Sequence, residues 1–370
     1  KDVPDSWVTL ADDWTIEKRN EFVIKDNVGF GEWDWEQLDA EWDAEKLDEW
    51  GLDMPTFEDD EKQEEKEQNK KLSDRFIIPP FSVLDTKQGI WQQRKNYWLS
   101  LGIKSEIGRD ENSLGLANVK NYEYEYKENY DISKGTSIFD PVLCELSYKW
   151  FNIPNGKILD PFAGGSVRGI VAAKLGYQYL GNDLRIEQIE ANRINANEVL
   201  QDAEIYPTWT CGDSLQIDTI AKGYNDDLIF SCPPYADLEV YSDMKEDISN
   251  MEYSEFVKVY REIIRKSCEM LNDNRFAVFV VGDVRNKKGF YINFISDTIS
   301  AFVDSNVCLY NEMILVNQIG NLPMRASKYF RTRKIGKQHQ TVLVFYKGDP
   351  KKIKENYPEL DLSYIQAEDS

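Results

Sequence analysis

Lys157-Ile158-Leu159-Asp160-Pro161-Phe162-Ala163-Gly164-Gly165 and Asp227-Leu228-Ile229-Phe230-Ser231-Cys232-Pro233-Pro234-Tyr235 decide the reading of this chain. Each is a short apolar run that breaks into a special turn, the form expected where a buried parallel strand ends at a functional edge. Outward from these two motifs, strands and helices alternate. The pattern predicts strands over 157–160, 177–183, 208–213, 227–232, 275–283, 307–317 and 340–346, with helices over 166–175, 186–200, 253–271 and 290–304. In Ser137–Phe151, Pro141 at a helix start is followed by apolar residues at helical spacing, which adds a helix before the first of these strands. Such alternation implies an α/β fold with a doubly wound, mostly parallel, seven-stranded sheet and right-handed crossovers.

The turn Asp160-Pro161-Phe162-Ala163-Gly164-Gly165 has the small residues that let backbone N–H groups approach a ligand, and the helix beginning near Ser166 offers a positive dipole end. A phosphate-binding P-loop would need Gly-Lys-Ser/Thr and a dinucleotide fold GxGxxG; neither is present. Asp183 closes the next strand, where an acidic side chain can accept two ribose hydroxyls, and Asp213-Ser214 closes the third. Taken singly, each aspartate reads as well as a helix cap or turn former. At successive strand ends they read as a binding set.

Together the two motifs resemble those of phage and bacterial S-adenosylmethionine-dependent methyltransferases that modify an exocyclic amino group of a DNA base, over roughly residues 76–346. The resemblance implies a Rossmann-like methyltransferase domain over 76–350. Its cofactor, S-adenosyl-L-methionine, would be held by Asp160, Pro161, Phe162, Ala163, Gly164, Gly165, Asp183, Asp213 and Ser214, with Asp213 on the adenine amino group. It also implies catalysis at Ser231, Cys232, Pro233, Pro234 and Tyr235. There a polar atom and a backbone carbonyl would aim the target nitrogen, and Tyr235 would stack on a flipped base. Cys232 stands where the family carries Asp, Asn or Ser, and a thiol is a weak acceptor. Three alternatives therefore stay open: C5-pyrimidine chemistry with Cys232 as nucleophile, a degenerate DNA-binding protein on a methylase fold, and methylation of RNA or of a protein glutamine. Ser231 tilts the base toward cytosine N4 over adenine N6.

A net charge of −22 sits oddly with DNA as a partner, but residues 1–75 carry about −15 of it. Residues 1–55 read as an acidic helical unit with Trp33, Trp35, Trp42 and Trp50, and part of them resembles the tail of ParB-like domains fused to DNA methylases. Residues 56–75 read as a charged linker and 351–370 as a C-terminal tail. The segment 319–340 reads as a loop with Arg325, Lys328, Arg331, Arg333, Lys334 and Lys337 and no carboxylate, the expected phosphate-tracking surface for double-stranded DNA. Residues 236–249 read as a long loop beside the base pocket. His339, the only histidine, is assigned a structural or phosphate role. Five scattered cysteines without a CxxC pair argue against a disulfide framework or a metal site. No apolar run approaches the ~18 residues of a membrane span. The scattered cysteines point to a reducing cytosol, and the resemblance implies a bacterial or phage-infected cell and is compatible with a homodimer.

Overall fold

The computed structural model describes Trp14, Thr15, Lys18, Arg19 and Phe22, then residues 75–104, 139–234 save 202, 244, 246–286, 288–317 and 322–363. The chain divides into two units, Lys1–Asn69 and Lys70–Ser370. In the first, Trp14 and Phe22 meet edge to face at 5.3 Å and Lys18 lies over the Trp14 ring. The rest of the expected acidic helical unit, and the linker up to residue 74, lie outside the described residues.

The second unit is built on one sheet. In chain order its elements are β1 (Val83–Asp85), α1 (Gly89–Ser100), α2 (Pro141–Phe151), β2 (Lys157–Asp160), α3 (Val167–Lys174), β3 (Gln178–Asp183), α4 (Ile186–Val199) and β4 (Thr208–Cys211). There follow α5 (Ile217–Ile220), β5 (Asp226–Ser231), α6 (Tyr253–Met270), β6 (Leu271–Val281), α7 (Phe294–Asp304), β7 (Cys308–Val316), α8 (Leu322–Phe330) and β8 (His339–Lys347). The strand order is β1-β7-β8-β6-β5-β2-β3-β4. All pairings are parallel except those of β8, which runs antiparallel to both β6 and β7. The seven expected strands are all present, and β1 adds an eighth, which forms the edge of the sheet beyond β7.

Side-chain alternation along the strands divides the core into two faces. Leu228 and Phe230 of β5, Val278 and Val280 of β6, and Val342 and Val344 of β8 pack with α1, α2 and α3. Ile229, Ala277, Phe279, Val281, Leu343 and Phe345 pack against α6 and α7, where Phe345 stacks on Phe302 at 4.0 Å. Helices on both faces explain why the strands read as continuous apolar runs instead of alternating ones. Asp140 caps α2 by accepting from the Val142 N–H at 3.0 Å, and Pro141 fills its first turn, as its fixed φ and missing N–H favour.

The chain continues from β2 to β3 and β4 on one side, then jumps back to β5 and on to β6 on the other. Such a reversal opens a crevice beyond the carboxyl ends of β2 and β5, the usual ligand position in an open α/β sheet. β1 and α1 were not foreseen from the sequence. α1 is pinned to α2 by Arg94, which donates to both oxygens of the fully buried Glu145, and by Trp98 Nε1, 2.7 Å from Glu145 Oε2.

At the opposite end of β5, Asp226 is fully buried, and neither carboxylate oxygen has a hydrogen-bond partner among the described residues. Burial pushes its carboxyl well above the usual carboxylate range, with Asp227 adding to the shift and Lys347 opposing it. A raised folded-state pKa means that stability is full below the unfolded carboxylate pKa and is lost as pH rises toward the folded one. Asp226→Asn should therefore be more stable than wild type at pH 8 and should lose less stability between pH 4 and pH 8, read from urea midpoints. Parallel pH profiles for the two proteins would mean that Asp226 is charged and solvated.

Candidate active site

The two sequence motifs are joined by a hydrogen bond. Asp160, the last residue of β2, has no solvent exposure. Its Oδ1 accepts from Ser231 Oγ at 2.6 Å and from the Phe162 N–H at 3.1 Å. Its Oδ2 accepts from Arg168 Nε at 2.6 Å and Tyr179 OH at 2.7 Å. Arg168, projecting back from α3, also donates to the Phe162 and Ala163 carbonyls and lies 4.8 Å from the Phe139 ring. The Asp160 carboxylate thus braces the end of β2 and the turn that follows, with its side chain turned into the protein.

That turn lies across β3. The Ala163 N–H donates to the Asn182 carbonyl at 2.9 Å, and the Gly164 N–H donates to Asp183 Oδ2 at 3.0 Å. Gly164 has a φ of +51°, which favours glycine there. Gly181 beneath it has no room for a side chain, since a Cβ would fall 2.8 Å from that of Ala163. Asn192 Nδ2 holds the Gly164 carbonyl at 2.7 Å, and Ser166 Oγ donates to Asn195 Oδ1 at 2.8 Å. Pro161 is buried, while Phe162, Gly164 and Gly165 are half-buried. Phe162 leans toward Tyr260, ring centres 6.0 Å apart.

Asp183, half-buried at the end of β3, also accepts from the Arg185 N–H through Oδ1 at 2.9 Å. Burial raises its carboxyl pKa, and the Arg185 and Gly164 N–H groups pull the other way. Asp213 accepts from the Leu215 N–H at 2.9 Å and so caps a short 3₁₀ turn, the local role that its residue type also suggested. Ser214 Oγ donates to the Pro161 carbonyl at 2.6 Å, tying the loop after β4 to the turn after β2. Asn182 was not singled out in the sequence, yet it is fully buried. Its Nδ2 donates to the Gly212 carbonyl and to Ser214 Oγ, and its Oδ1 accepts from Thr210. Its position one residue before Asp183 was the available signal.

On β5, Ser231 is fully buried and its hydroxyl is committed to Asp160. Cys232 is half-buried, packed at its apolar side against the first core face; Pro233 is buried and Pro234 half-buried. Tyr235 lies outside the described residues, as do 236–243 and 245 of the loop that follows. Within its end, Asp247 caps the 3₁₀ turn Ile248–Asn250.

The basic segment is not a simple loop. It contains α8, in which Leu322 and Tyr329 are half-buried and every other residue is exposed. Arg325, Lys328, Arg331 and Arg333 are exposed, and Arg333 lies 5.0 Å from the Phe330 ring. Lys334 is half-buried beside Gly289, and Lys337 is half-buried, donating to the Asp283 carbonyl at 3.4 Å, so these two brace the crossover. His339 is exposed at the start of β8. Because β7 runs parallel to β6, this crossover rises from the same sheet edge as Asp160, Asp183 and Ser231. Among the described residues no helix is long and apolar enough to cross a membrane.

Residues 227–369 match a family model described as DNA methylase. No curated protein matches the chain. Solved structures that resemble it include TrmN from Thermus thermophilus, at 13% identity and TM-score 0.38, covering 56% of this chain and 49% of TrmN. A TehB-like SAM-dependent methyltransferase from Corynebacterium glutamicum aligns at 16% identity and TM-score 0.35, covering 58% of this chain and 91% of that one. A proposed DNA modification methylase, also from Thermus thermophilus, aligns at 16% identity and TM-score 0.29, covering 42% of this chain and 56% of that one. The chain thus spans about half the length of TrmN, and at such scores the fold rests on the strand order itself.

Ser231→Ala should destabilise the protein, because a buried carboxylate loses one of its four donors. A hydrogen bond to a charged group contributes about 1.5–3 kcal/mol. An unchanged denaturation midpoint would mean that Asp160 is satisfied without Ser231.

Proposed function

We propose that the chain is an S-adenosylmethionine-dependent DNA methyltransferase acting on an exocyclic amino group, cytosine N4 or adenine N6. The observation that carries this reading is the Ser231–Asp160 hydrogen bond. It fixes the Ser-Cys-Pro-Pro motif against the Asp-Pro-Phe-Ala-Gly-Gly turn at the switch point of the sheet, inside or beside the part of the chain that matches the DNA methylase family.

The residues present suit this cofactor. Asp183 is a half-buried acceptor at the end of β3, and the neighbouring half-buried Gly164 and Gly165 carry no side chain to fill the space beside it. Asp213 and Ser214 border the same space from the end of β4. S-adenosylmethionine supplies an already activated methyl group, so the protein's task is to position the acceptor nitrogen, and little acid–base chemistry is asked of it. Because the Ser231 hydroxyl is committed to Asp160, it no longer favours cytosine over adenine. Orientation of the target nitrogen then falls to Cys232 and the carbonyl groups beside the rigid Pro233 and Pro234. Stacking of the base on Tyr235 is carried over from the family motif. The exposed cations of α8 and its C-terminal turn, on the same sheet edge, supply charge for the phosphate backbone.

Two experiments test the site. Calorimetry of S-adenosylmethionine binding should show Asp183→Ala weakened by about 1.5–3 kcal/mol for each hydroxyl bond lost. Since the Asp183 pKa is raised, wild-type affinity should fall with decreasing pH at a higher pH than for an ordinary carboxylate. Equal affinity in a folded Asp183→Ala protein, flat with pH, would remove the residue from the site.

Cys232→Ser separates the chemistries. If the residue only orients an amino group, labelled methyl transfer to duplex DNA should persist or improve, because a hydroxyl is the better acceptor. If the thiolate attacks a pyrimidine ring, turnover should vanish, a hydroxyl being far less nucleophilic without an activating base. A dead Cys232→Ser enzyme, with 5-methylated pyrimidine as the wild-type product by nucleoside mass spectrometry, would overturn the amino-methylation reading. Labelling of RNA or protein in place of DNA would overturn the substrate.

A further inference from the structure

The chain leaving β6 forms a braced hairpin tip beside the catalytic motif. Arg285 and Tyr291 pair across it in an antiparallel bridge. The Asn286 side chain accepts from the N–H groups of Lys288 and Phe290 at 3.0 and 3.1 Å, and the Asn286 N–H donates to the Phe290 carbonyl at 2.9 Å. Arg285 donates to the Gly289 carbonyl at 2.9 Å, with its guanidinium 3.9 Å from the centre of the Tyr291 ring. All of this holds Phe290 outward, 71% exposed.

Three further observations say what meets that ring. β6 is hydrogen-bonded to β5, with Ser231 opposite Phe279, so the chain that leads to the tip leaves the sheet at the same edge as Ser231 and Cys232. From Val284 to Ser296 the chain has no carboxylate and carries Arg285, Lys287 and Lys288, in a protein of net charge −22. Lys334, from the crossover that holds α8, lies against Gly289, so the tip and the second basic segment form one surface. An apolar ring fixed beside cations, with the flanking carboxylates of Asp283 and Asp297 at the base of the hairpin, complements a polyanion with stackable faces.

We propose that Phe290 is a wedge that stacks on a nucleobase of duplex DNA beside the target nucleotide, with Lys288 at the phosphates. The proposal rests on the DNA reading of the site. Wedging of this kind offsets part of the energy needed to unstack a base step, and base–aromatic stacking does not depend on sequence.

The test uses the full chain and a duplex with 2-aminopurine in place of adenine, followed by fluorescence and anisotropy across a salt series. Wild type should brighten the probe on binding. Phe290→Ala should lose that signal and bind roughly five-fold or more weakly, with an unchanged slope of affinity against salt, because no phosphate contact is lost. Phe290→Trp should restore both, and Arg331→Ala with Arg333→Ala should instead flatten the slope. Wild-type affinity and probe signal in Phe290→Ala would overturn the wedge, as would a loss that Trp does not rescue or the same Phe290 dependence on duplex RNA alone. Altered sedimentation of Phe290→Ala without a DNA effect would assign the ring to self-association and overturn it too. Methyl transfer is read in a separate assay. Wild type that binds DNA through Phe290 but never methylates it would sink the catalytic reading alone, and active methylation by a Phe290→Ala protein of normal affinity would sink the wedge alone.

Discussion

A carboxylate with no access to water cannot stay charged unless donors surround it, and isolated burial of such a charge costs several kcal/mol even after relaxation. Asp160 meets that requirement with donors from four parts of the chain: the turn after its own strand, α3, β3 and β5. None of these can move far without stranding the charge. The turn that faces the proposed cofactor and the strand end that faces the proposed base therefore have a fixed separation, with no ligand needed to set it. Arg168 extends the constraint by holding two carbonyls of the same turn, so the backbone is held as well as the side chain.

The rest of the site follows from topology. With β2 through β7 all parallel, every loop leaving a strand end opens on one edge, and β8 closes the sheet by starting from that edge. The loops after β2, β3 and β4, the Ser-Cys-Pro-Pro motif, the Phe290 tip and α8 thus share one edge of the sheet. The carboxylate-free stretches 284–296 and 313–348 both emerge here. A protein that is acidic overall can in this way present a local basic edge, since charges farther than about 8 Å are largely screened at physiological salt.

Most of the sheet was legible because parallel strands buried on both faces leave unmistakable apolar runs, as in Leu228–Phe230 and Phe276–Val281. β1 was not, since three residues on the rim carry no period. α1 was hidden by its polar sequence, in which Trp91 and Trp98 alone mark the buried side. α8 was concealed inside the basic segment 319–340, which read as a loop throughout. Within the site, residue type gave the positions but not the direction of side chains. Ser231 looked like part of the reacting surface and instead faces Asp160; Lys337 looked like a phosphate ligand and braces a carbonyl. Asn182 was passed over because only its place one residue before Asp183 marked it, and a buried amide inside a strand has no signature of its own. Such roles depend on what lies opposite, and the linear sequence does not record that.

The place of β8 has a consequence for how the molecule is made. Residues 339–347 follow every other strand in chain order, yet their strand lies inside the sheet, and β6 and β7 touch each other only through it. A ribosome releases sequence at about 5–20 residues per second. Until His339–Lys347 emerge, β6 presents an open apolar edge, and β1 and β7 have no sheet to join. The half that holds Asp160, Asp183 and Ser231 can assemble first. The half bearing α8 can close only when synthesis has reached β8, so a prematurely stopped chain would carry the proposed cofactor loops on a sheet with a bare flank.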